Sequence, residues 1–223
     1  MTPPRRGELR IVNPNTDTRV TRWLADEARR VAGERFEIVA VNAESGIAAI
    51  ETPEQLVAAA RAVAAAIGAP PRPRFAIVAG FGDPGLAEAR ALRVAPVVGL
   101  GESGLLAAGR GGRRFAILTL GAAMRESIRA RAQSLGLGEG LAEIRIFPWS
   151  IAEMVADRDA RRDEIAAAAR ACADETGAEA ILLGGAPFAG LAASIARATR
   201  RVVLDGVEAS LARLVDAAGP GEN

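Results

Sequence analysis

The 223-residue chain contains no histidine, no tyrosine and no lysine, so arginine is its only basic residue. Without lysine it can form neither a Schiff base with pyridoxal phosphate nor a P-loop. Without histidine it cannot assemble a Ser-His-Asp or Cys-His catalytic group. Cys172 is the single cysteine, which excludes an intramolecular disulfide and a zinc site built on histidine and cysteine. Chemistry must therefore come from acidic, hydroxyl, amide and arginine side chains, from Cys172, or from backbone N–H groups.

Long apolar runs are also missing. The richest stretch, residues 56–69, contains an arginine and is too short to span a bilayer. The basic segment 1–10 lacks the apolar core of a signal peptide. The 28 basic and 27 acidic residues give a net charge of +1, without the basic excess that is typical of nucleic-acid binding. We therefore expect a cytoplasmic protein that binds neither nucleic acid nor a membrane.

Short apolar runs alternate with longer helical patterns along the whole chain. The runs consist mostly of uninterrupted valine, isoleucine, leucine and alanine, which is typical of parallel strands covered by helices on both faces. The sequence thus predicts an α/β fold with parallel sheets. The predicted strands are 9–12, 36–41, 75–79, 95–100, 115–120, 144–147, 180–183 and 202–204. The predicted helices are 16–32, 53–67, a short one from 84, 103–108, 124–135, 163–176, 187–198 and 207–215.

The order of elements starts again halfway along the chain, at an offset of about 105 residues. Segment 75–80 (FAIVAG) aligns with 179–185 (EAILLGG), and 97–102 (VVGLGE) aligns with 203–208 (VLDGVE). Any regular β/α chain can show such spacing, but four matching offsets favour an internal duplication. We predict two pseudo-symmetric, Rossmann-like lobes: residues 1–98 with 206–223, and residues 99–205. Ligands of α/β proteins bind beyond the carboxyl ends of strands, so we expect an active-site cleft between the lobes.

The loops after the first and third strands carry polar residues and glycine. Asn13, Asn15 and Thr16 can cap the next helix, or can hydrogen-bond a carboxylate or an amide. Segments 80–85 (GFGDPG) and 99–104 (GLGESG) match the dinucleotide fingerprint G-x-G-x-x-G, but that fingerprint belongs after the first strand, which lacks it. We therefore expect no nucleotide cofactor.

Four acids lie near these loops, and each is either a general base, a helix cap or a contact between lobes: Asp83, Glu102, Asp205 and Glu208. We interpret Asp83-Pro84 as an N-cap followed by a proline at the first helical position. After the fifth and seventh strands, Thr119, Leu120 and the glycine-rich segment 184–188 offer backbone N–H groups at helix starts. Such groups bind a carboxylate or stabilise an enolate-like oxyanion. Cys172 lies among small residues within a predicted helix, which indicates a buried apolar residue rather than a nucleophile.

As a set, these loops resemble the Asp/Glu/hydantoin racemase superfamily, most closely the hydantoin and allantoin racemases. The resemblance covers nearly the whole chain and is carried by segments 11–16 (IVNPNT), 81–86 (FGDPGL), 96–99 (PVVG) with Glu102, and 204–207 (LDGV). It implies two pseudo-symmetric α/β lobes and an isomerase that uses no cofactor and no metal. It also implies a small carboxylate or cyclic amide as substrate, and it allows a homo-oligomer.

In that family two cysteines act as opposed acid and base beside a carbonyl group. The resemblance places the first just before Phe81, where this chain has Gly80, and the second just after Gly184, where it has Gly185. Relatives similar to arylmalonate decarboxylase keep one of the two. A positioned acid or base contributes about 10²–10⁴-fold to a rate, so we do not expect ordinary two-base racemisation.

Two functions stay open on this evidence. One is non-cysteine chemistry through an enolate-like intermediate, of decarboxylase, lyase or hydrolase type, with Asp83 and Glu102 as candidate acids. The other is a non-catalytic protein that binds such a small ligand. The predicted ligand contacts lie at strand ends of both halves: Asn13, Asn15, Thr16, Gly80, Phe81, Thr119, Leu120, Gly185, Ala186 and Pro187.

Overall fold

The computed structural model of the protein describes residues 7–218, in which strands and helices alternate. Residues 1–6 and 219–223, the two ends of the predicted N-terminal lobe and most of the basic N-terminal segment, lie outside the described residues. The longest helix has 16 residues, and within 7–218 none combines the length and apolar character that a bilayer crossing needs. The strands are β1 Glu8–Asn13, β2 Glu37–Asn42, β3 Phe75–Val78, β4 Val97–Gly99, β5 Phe115–Thr119, β6 Leu141–Ile146, β7 Ala180–Gly184 and β8 Val202–Asp205. The α-helices are α1 Thr18–Ala32, α2 Pro53–Gly68, α3 Leu86–Ala91, α4 Leu100–Ala108, α5 Arg125–Ser134, α6 Ile151–Ala156, α7 Arg162–Thr176, α8 Ala192–Thr199 and α9 Gly206–Ala218.

The strands form two four-stranded parallel sheets with the same order. The first sheet runs β2-β1-β3-β4 and the second runs β6-β5-β7-β8. In the first, Val12 of β1 pairs with Val41 on one side and Val78 on the other. Strands β3, β5 and β7 are buried along their whole length, as their uninterrupted apolar runs predict. The predicted α/β fold, with two equivalent lobes and parallel sheets, is therefore confirmed.

Two helices cross from one lobe to the other. Helix α4 follows the last strand of the first sheet, yet its Leu105 belongs to the apolar cluster around Phe115 and Leu182 of the second sheet. Helix α9 follows the last strand of the second sheet, yet its Leu211 packs in the cluster that contains Leu9 of the first sheet. The division into residues 1–98 with 206–223 and residues 99–205 remains our proposal, and this packing supports it.

Two predicted helices differ from the structure, and a third helix was not predicted. The helix expected from Pro84 begins at Leu86, and its N-cap is Gly85 in the left-handed region (φ +75°) with no side-chain cap, so Asp83 does not cap it. The predicted helix 187–198 is a 3₁₀ turn, Ala186–Phe188, followed by α8, because Gly190 (φ +80°) leaves the helical region between them. Helix α6 was not predicted, although Ser150 and Glu153 form a capping box at its start.

Candidate active site

The cleft between the lobes contains a cavity where the central strands of both sheets end. Its volume is about 70 Å³, several times the roughly 10–15 Å³ that one water molecule requires. The first lobe contributes Pro14, Asn15, Ile50, Leu56, Ala79, Gly80, Phe81 and Gly82 to its lining. The second contributes Thr119, Leu120, Met124, Ile128, Ile151, Gly184, Gly185, Ala186 and Pro187. We call this space the cleft cavity.

Most predicted ligand contacts lie in this lining, but Asn13 and Thr16 do not. Asn13 is fully buried, and its Nδ2 donates hydrogen bonds to Asn15 Oδ1 and to Thr21 Oγ1, each at 2.9 Å. Thr16 is exposed, and its backbone N–H donates to the carbonyl of Ile47. Asn13 therefore positions Asn15, while Thr16 belongs to the loop behind it.

Asn15 is the one side-chain amide in the cleft lining. Its Oδ1 accepts from Asn13 Nδ2 and from the backbone N–H of Asp17, both at 2.9 Å. Because a backbone N–H can only donate, the atom of the Asn15 amide that contacts Asp17 must be the oxygen, and the other atom is the nitrogen Nδ2. Within residues 7–218, Nδ2 of Asn15 has no acceptor. The amide therefore offers a free donor to a ligand.

Backbone N–H groups provide further donors at the two equivalent turns that follow β3 and β7. The N–H groups of Gly80, Phe81, Gly185 and Ala186 make no hydrogen bond to other described residues. Ala186 is buried and the other three residues are half-buried, and because such backbone groups are normally paired, these donors are available to a bound molecule or to water. Thr119 Oγ1 is already committed, because it donates to the carbonyl of Gly184 at 2.6 Å. The cleft lining is thus rich in N–H donors without a partner, the kind of group that binds an anion or a carbonyl oxygen.

The positions of Gly80 and Gly185 each accommodate glycine better than a residue with a side chain. A Cβ on Gly80 would lie 2.9 Å from Cγ of Pro14 and 3.0 Å from Cδ of Pro84, so a proline ring would have to move. Gly185 has φ +143°, a conformation that residues with a side chain rarely adopt. Any side chain at either position must displace a neighbour or strain the backbone. That these positions correspond to the two family cysteines stays a prediction.

The candidate acids Asp83 and Glu102 do not line the cleft cavity. The carboxylate of Asp83 accepts from the backbone N–H groups of Gly101 at 2.8 Å and Glu102 at 2.7 Å, so it caps α4 across the lobe boundary. Burial raises the pKa of Asp83 to about 7. Glu102 accepts a 2.7 Å hydrogen bond from Nη2 of Arg90. The cap that sequence assigned to the following helix therefore belongs to a different one.

Asp205 performs the equivalent task for α9. Its carboxylate accepts from the N–H groups of Val207 at 2.9 Å and Glu208 at 3.0 Å, and from that of Gly190 at 3.1 Å. Burial raises its pKa to about 6. Cys172 is buried in α7, outside the cleft lining, and burial raises the pKa of its thiol to about 11. The residues that line the cleft cavity therefore include no ionisable side chain.

Sequence reasoning missed the apolar wall of the cleft. Its members come from the loop before α2, from α2, from the turn before α5, and from the first turns of α5 and α6: Ile50, Leu56, Met124, Ile128 and Ile151. Each is one apolar residue in a helical or loop pattern, so nothing local distinguishes a residue that faces the cleft from one that faces the core. Only the 3.6-residue period of α2 and α5 offered a signal, and it marks a buried face without saying what covers it.

Comparison with known proteins shows which family this chain is similar to. The family model described as Asp/Glu/Hydantoin racemase matches residues 9–214. A hydantoin racemase of Pseudomonas sp. (strain NS671) is 29% identical over 206 residues, which cover 92% of this chain and 83% of that protein. A hydantoin racemase of Paenarthrobacter aurescens is 28% identical over 203 residues, covering 90% of this chain and 86% of that protein.

Solved structures are also similar to this chain. An allantoin racemase from Klebsiella pneumoniae superposes with a TM-score of 0.88 at 27% identity, covering 95% of this chain and 87% of that one. An allantoin racemase from Pseudomonas fluorescens superposes with a TM-score of 0.87 at 29% identity, covering 95% of this chain and 90% of that one. Unliganded arylmalonate decarboxylase shares the fold at 14% identity, with a TM-score of 0.66 and coverage of 97% and 94%.

Proposed function

Because this chain belongs to the Asp/Glu/hydantoin racemase family, we propose that it binds a small carboxylate or a hydantoin-like cyclic amide between its lobes. Four of the relatives named above are two hydantoin racemases and two allantoin racemases, and both names refer to cyclic amides. We further propose that the chain stabilises an enolate-like form of this ligand without a cysteine. Backbone N–H groups and Asn15 Nδ2 hold the negative oxygen.

One observation carries this proposal: the cleft lining combines free N–H donors with the absence of ionisable side chains. Donors from the turns at Gly80 and Gly185 enter from the two lobes, and the 3₁₀ turn at Ala186 adds its own first N–H. In a largely apolar site such preorganised donors stabilise developing charge strongly. They match a carboxylate, a cyclic amide carbonyl and the enolate derived from either.

Of the reaction types open to an enolate, decarboxylation suits this lining best. The bond between the α-carbon and a carboxylate breaks, its electron pair becomes the enolate, and CO₂ leaves. The α-carbon then takes a proton from water, and the hydroxide combines with CO₂ as bicarbonate. No side-chain base is needed at any step. Racemisation needs an acid and a base on opposite faces, and hydrolysis needs an activated water, so both demand groups that the lining lacks.

The second candidate function is a binding protein without turnover. The same lack of ionisable side chains favours it, because a site of donors and apolar walls can hold a ligand without reacting with it. The two functions predict the same contacts and differ only in the fate of the ligand.

A substrate panel in D₂O separates the two functions. Substituted malonates, amino acids and hydantoins are incubated with the protein while CO₂ release, α-proton exchange and ring opening are followed. We expect CO₂ release from a malonate, and at least a tenfold loss of it in Asn15→Ala. The matched control is Thr16→Ala, an exposed neighbour outside the lining. Ligand-dependent thermal stabilisation without turnover would establish the binding protein. A panel with neither binding nor turnover would contradict both.

A further inference from the structure

A second cavity, of about 340 Å³, adjoins the cleft cavity on the side of helix α5. The two cavities share five lining residues: Leu56, Phe81, Gly82, Met124 and Ile128. Beyond this shared wall the second cavity is lined by Leu105, Ser127, Ala130, Arg131 and Ser134. We call it the α5 pocket. Its outer lining includes the exposed residues Ala130 and Ser134, so it is a concave pocket that opens to solvent, and such pockets are where small ligands bind.

The lining of the α5 pocket is apolar with a single charged side chain. The shared wall consists of apolar side chains and one glycine, and Met124 within it is unbranched and adapts to different shapes. Ser127 and Ser134 contribute only hydroxyl groups. Arg131, in the last turn of α5, is the only ionisable residue of the lining. The pocket therefore suits a hydrocarbon group and places one positive charge within its reach.

Arg131 belongs to a cluster in which arginine outnumbers its partner. Its Nη2 lies 3.6 Å from Oε2 of Glu102, and Nη2 of Arg90 contacts the same oxygen at 2.7 Å. Nη2 of Arg213 lies 3.6 Å from the other oxygen of Glu102. Three guanidinium groups thus share one carboxylate, and even with the nearby carboxyl of Asp83 they remain in excess. Of the two arginines that contact Oε2, Arg131 is the more distant, and of the three arginines in the cluster Arg131 alone lines the pocket.

We propose that the α5 pocket receives an apolar arm of the ligand, and that Arg131 binds a negative group at the end of this arm. The inference rests on the proposed function, because the head of the ligand must lie in the cleft cavity for the arm to reach the pocket. The ligand class is then a carboxylate or cyclic amide head, a hydrocarbon spacer, and a terminal carboxylate. Each buried methylene is expected to raise affinity about fourfold.

The test measures binding by calorimetry for three hydantoins that differ only in the arm at the ring carbon: methyl, n-pentyl and 4-carboxybutyl. The same three arms are also tested on a malonate head. In the wild-type protein we expect the pentyl compound to bind at least tenfold more tightly than the methyl compound, and the carboxybutyl compound to bind at least as tightly as the pentyl one. Each variant is judged by its own ratios, so a change in overall stability does not enter.

Two variants with matched controls localise the effect. Ser127→Trp fills the α5 pocket from a position outside the cleft cavity, and should bring the pentyl-to-methyl ratio close to one. Gln133→Trp, exposed on the same helix and outside both linings, should retain it. Arg131→Met should keep the gain of the pentyl arm but weaken the carboxybutyl compound at least tenfold, whereas Arg129→Met on the exposed face should not.

The outcomes distinguish failure of the α5-pocket inference from failure of the proposed function. A pentyl arm that adds no affinity to a head that binds, or a gain that survives in Ser127→Trp, overturns the inference and leaves the proposed function intact. An unchanged carboxybutyl affinity in Arg131→Met overturns the role of Arg131. Failure of all compounds to bind, the methyl ones included, contradicts the proposed function, and the inference with it because the arm then has no anchor.

Discussion

Arg158 connects the two lobes at the edge of the cleft, and its replacement by methionine is expected to destabilise the protein by about 3 kcal/mol. Its Nε donates to the carbonyl of Pro187 at 2.9 Å, and its Nη2 donates to the carbonyl of Ala189. Its guanidinium lies 4.4 Å from the ring centroid of Trp23 on α1 of the first lobe. Burial lowers the pKa of Arg158, as expected where protein groups replace water around a cation.

The magnitude follows from these contacts. A hydrogen bond to a charged group contributes about 1.5–3 kcal/mol, and a cation over an aromatic ring about 0.5–1 kcal/mol. Methionine keeps the apolar stem but loses both donors, so two carbonyl groups lose their partners. Taking the low end of the hydrogen bonds gives about 3 kcal/mol. For a chain of this size 1 kcal/mol lowers Tm by about 2–4 °C, so we expect a fall of about 6–12 °C.

Thermal and urea unfolding of Arg158→Met measure this effect directly. The matched control is Arg161→Met, whose guanidinium lies 4.2 Å from the ring centroid of Trp149 but does not contact the 187–189 turn. The control should change the free energy of unfolding by no more than about 1 kcal/mol, the scale of a cation–π contact and a surface ion pair. A Tm for Arg158→Met within 2 °C of the wild type, or equal effects in both variants, would refute the reasoning.

Three further predictions concern groups around the cleft. Because burial raises the pKa of Asp83 to about 7, the contribution of its protonated carboxyl to stability is present below pH 4 and is lost as pH rises through 7, a change of about 4 kcal/mol. Urea unfolding at pH 4–8 should show that the free energy of unfolding falls less with rising pH in Asp83→Asn than in the wild type. Equal falls in the two proteins would contradict this. Cys172→Ser should leave turnover of any substrate within a few-fold, whereas a 10²-fold loss in a steady-state assay would show that the thiol takes part. Gly80→Cys combined with Gly185→Cys should cost about 1 kcal/mol or more at each site. If circular dichroism shows that it folds, this double variant should exchange the α-proton of a hydantoin in D₂O faster than either single variant, and a folded double variant without exchange would count against a racemase-like cleft.

Much of the fold follows from local sequence patterns. Uninterrupted apolar runs such as 115–120 mark strands buried on both faces, and helical periodicity marks the segments between them. The glycine-rich turns after β3 and β7 follow from the same pattern, because a chain that leaves a parallel strand turns into a helix there. For this reason Gly80, Phe81, Gly185 and Ala186 were predicted in the cleft, and the structure places them in its lining.

The hydrogen-bond partners of the polar side chains could not be predicted from the sequence. Asp83 precedes a proline and a helix, which is the pattern of an N-cap, yet its carboxylate caps α4 because the turn (φ +48°) directs it across the lobe boundary. Asn13 and Asn15 look equivalent on either side of Pro14, but the amide of Asn13 hydrogen-bonds Asn15 and so positions it instead of facing the cleft. A side-chain hydrogen bond depends on which distant backbone groups are left unpaired, and that is known only once both lobes are packed.

By itself, the sequence determined the parallel α/β architecture, its repetition, and the presence of glycine-rich strand ends, because each depends on residues close together in the chain. Tertiary structure alone decided that the cleft lining contains no ionisable side chain and that Arg158 joins the two lobes. These features arise where segments distant in sequence meet. The apolar periodicity of a helix such as α5 specifies that one face is covered, whereas packing against the other lobe decides whether that face meets protein or a ligand.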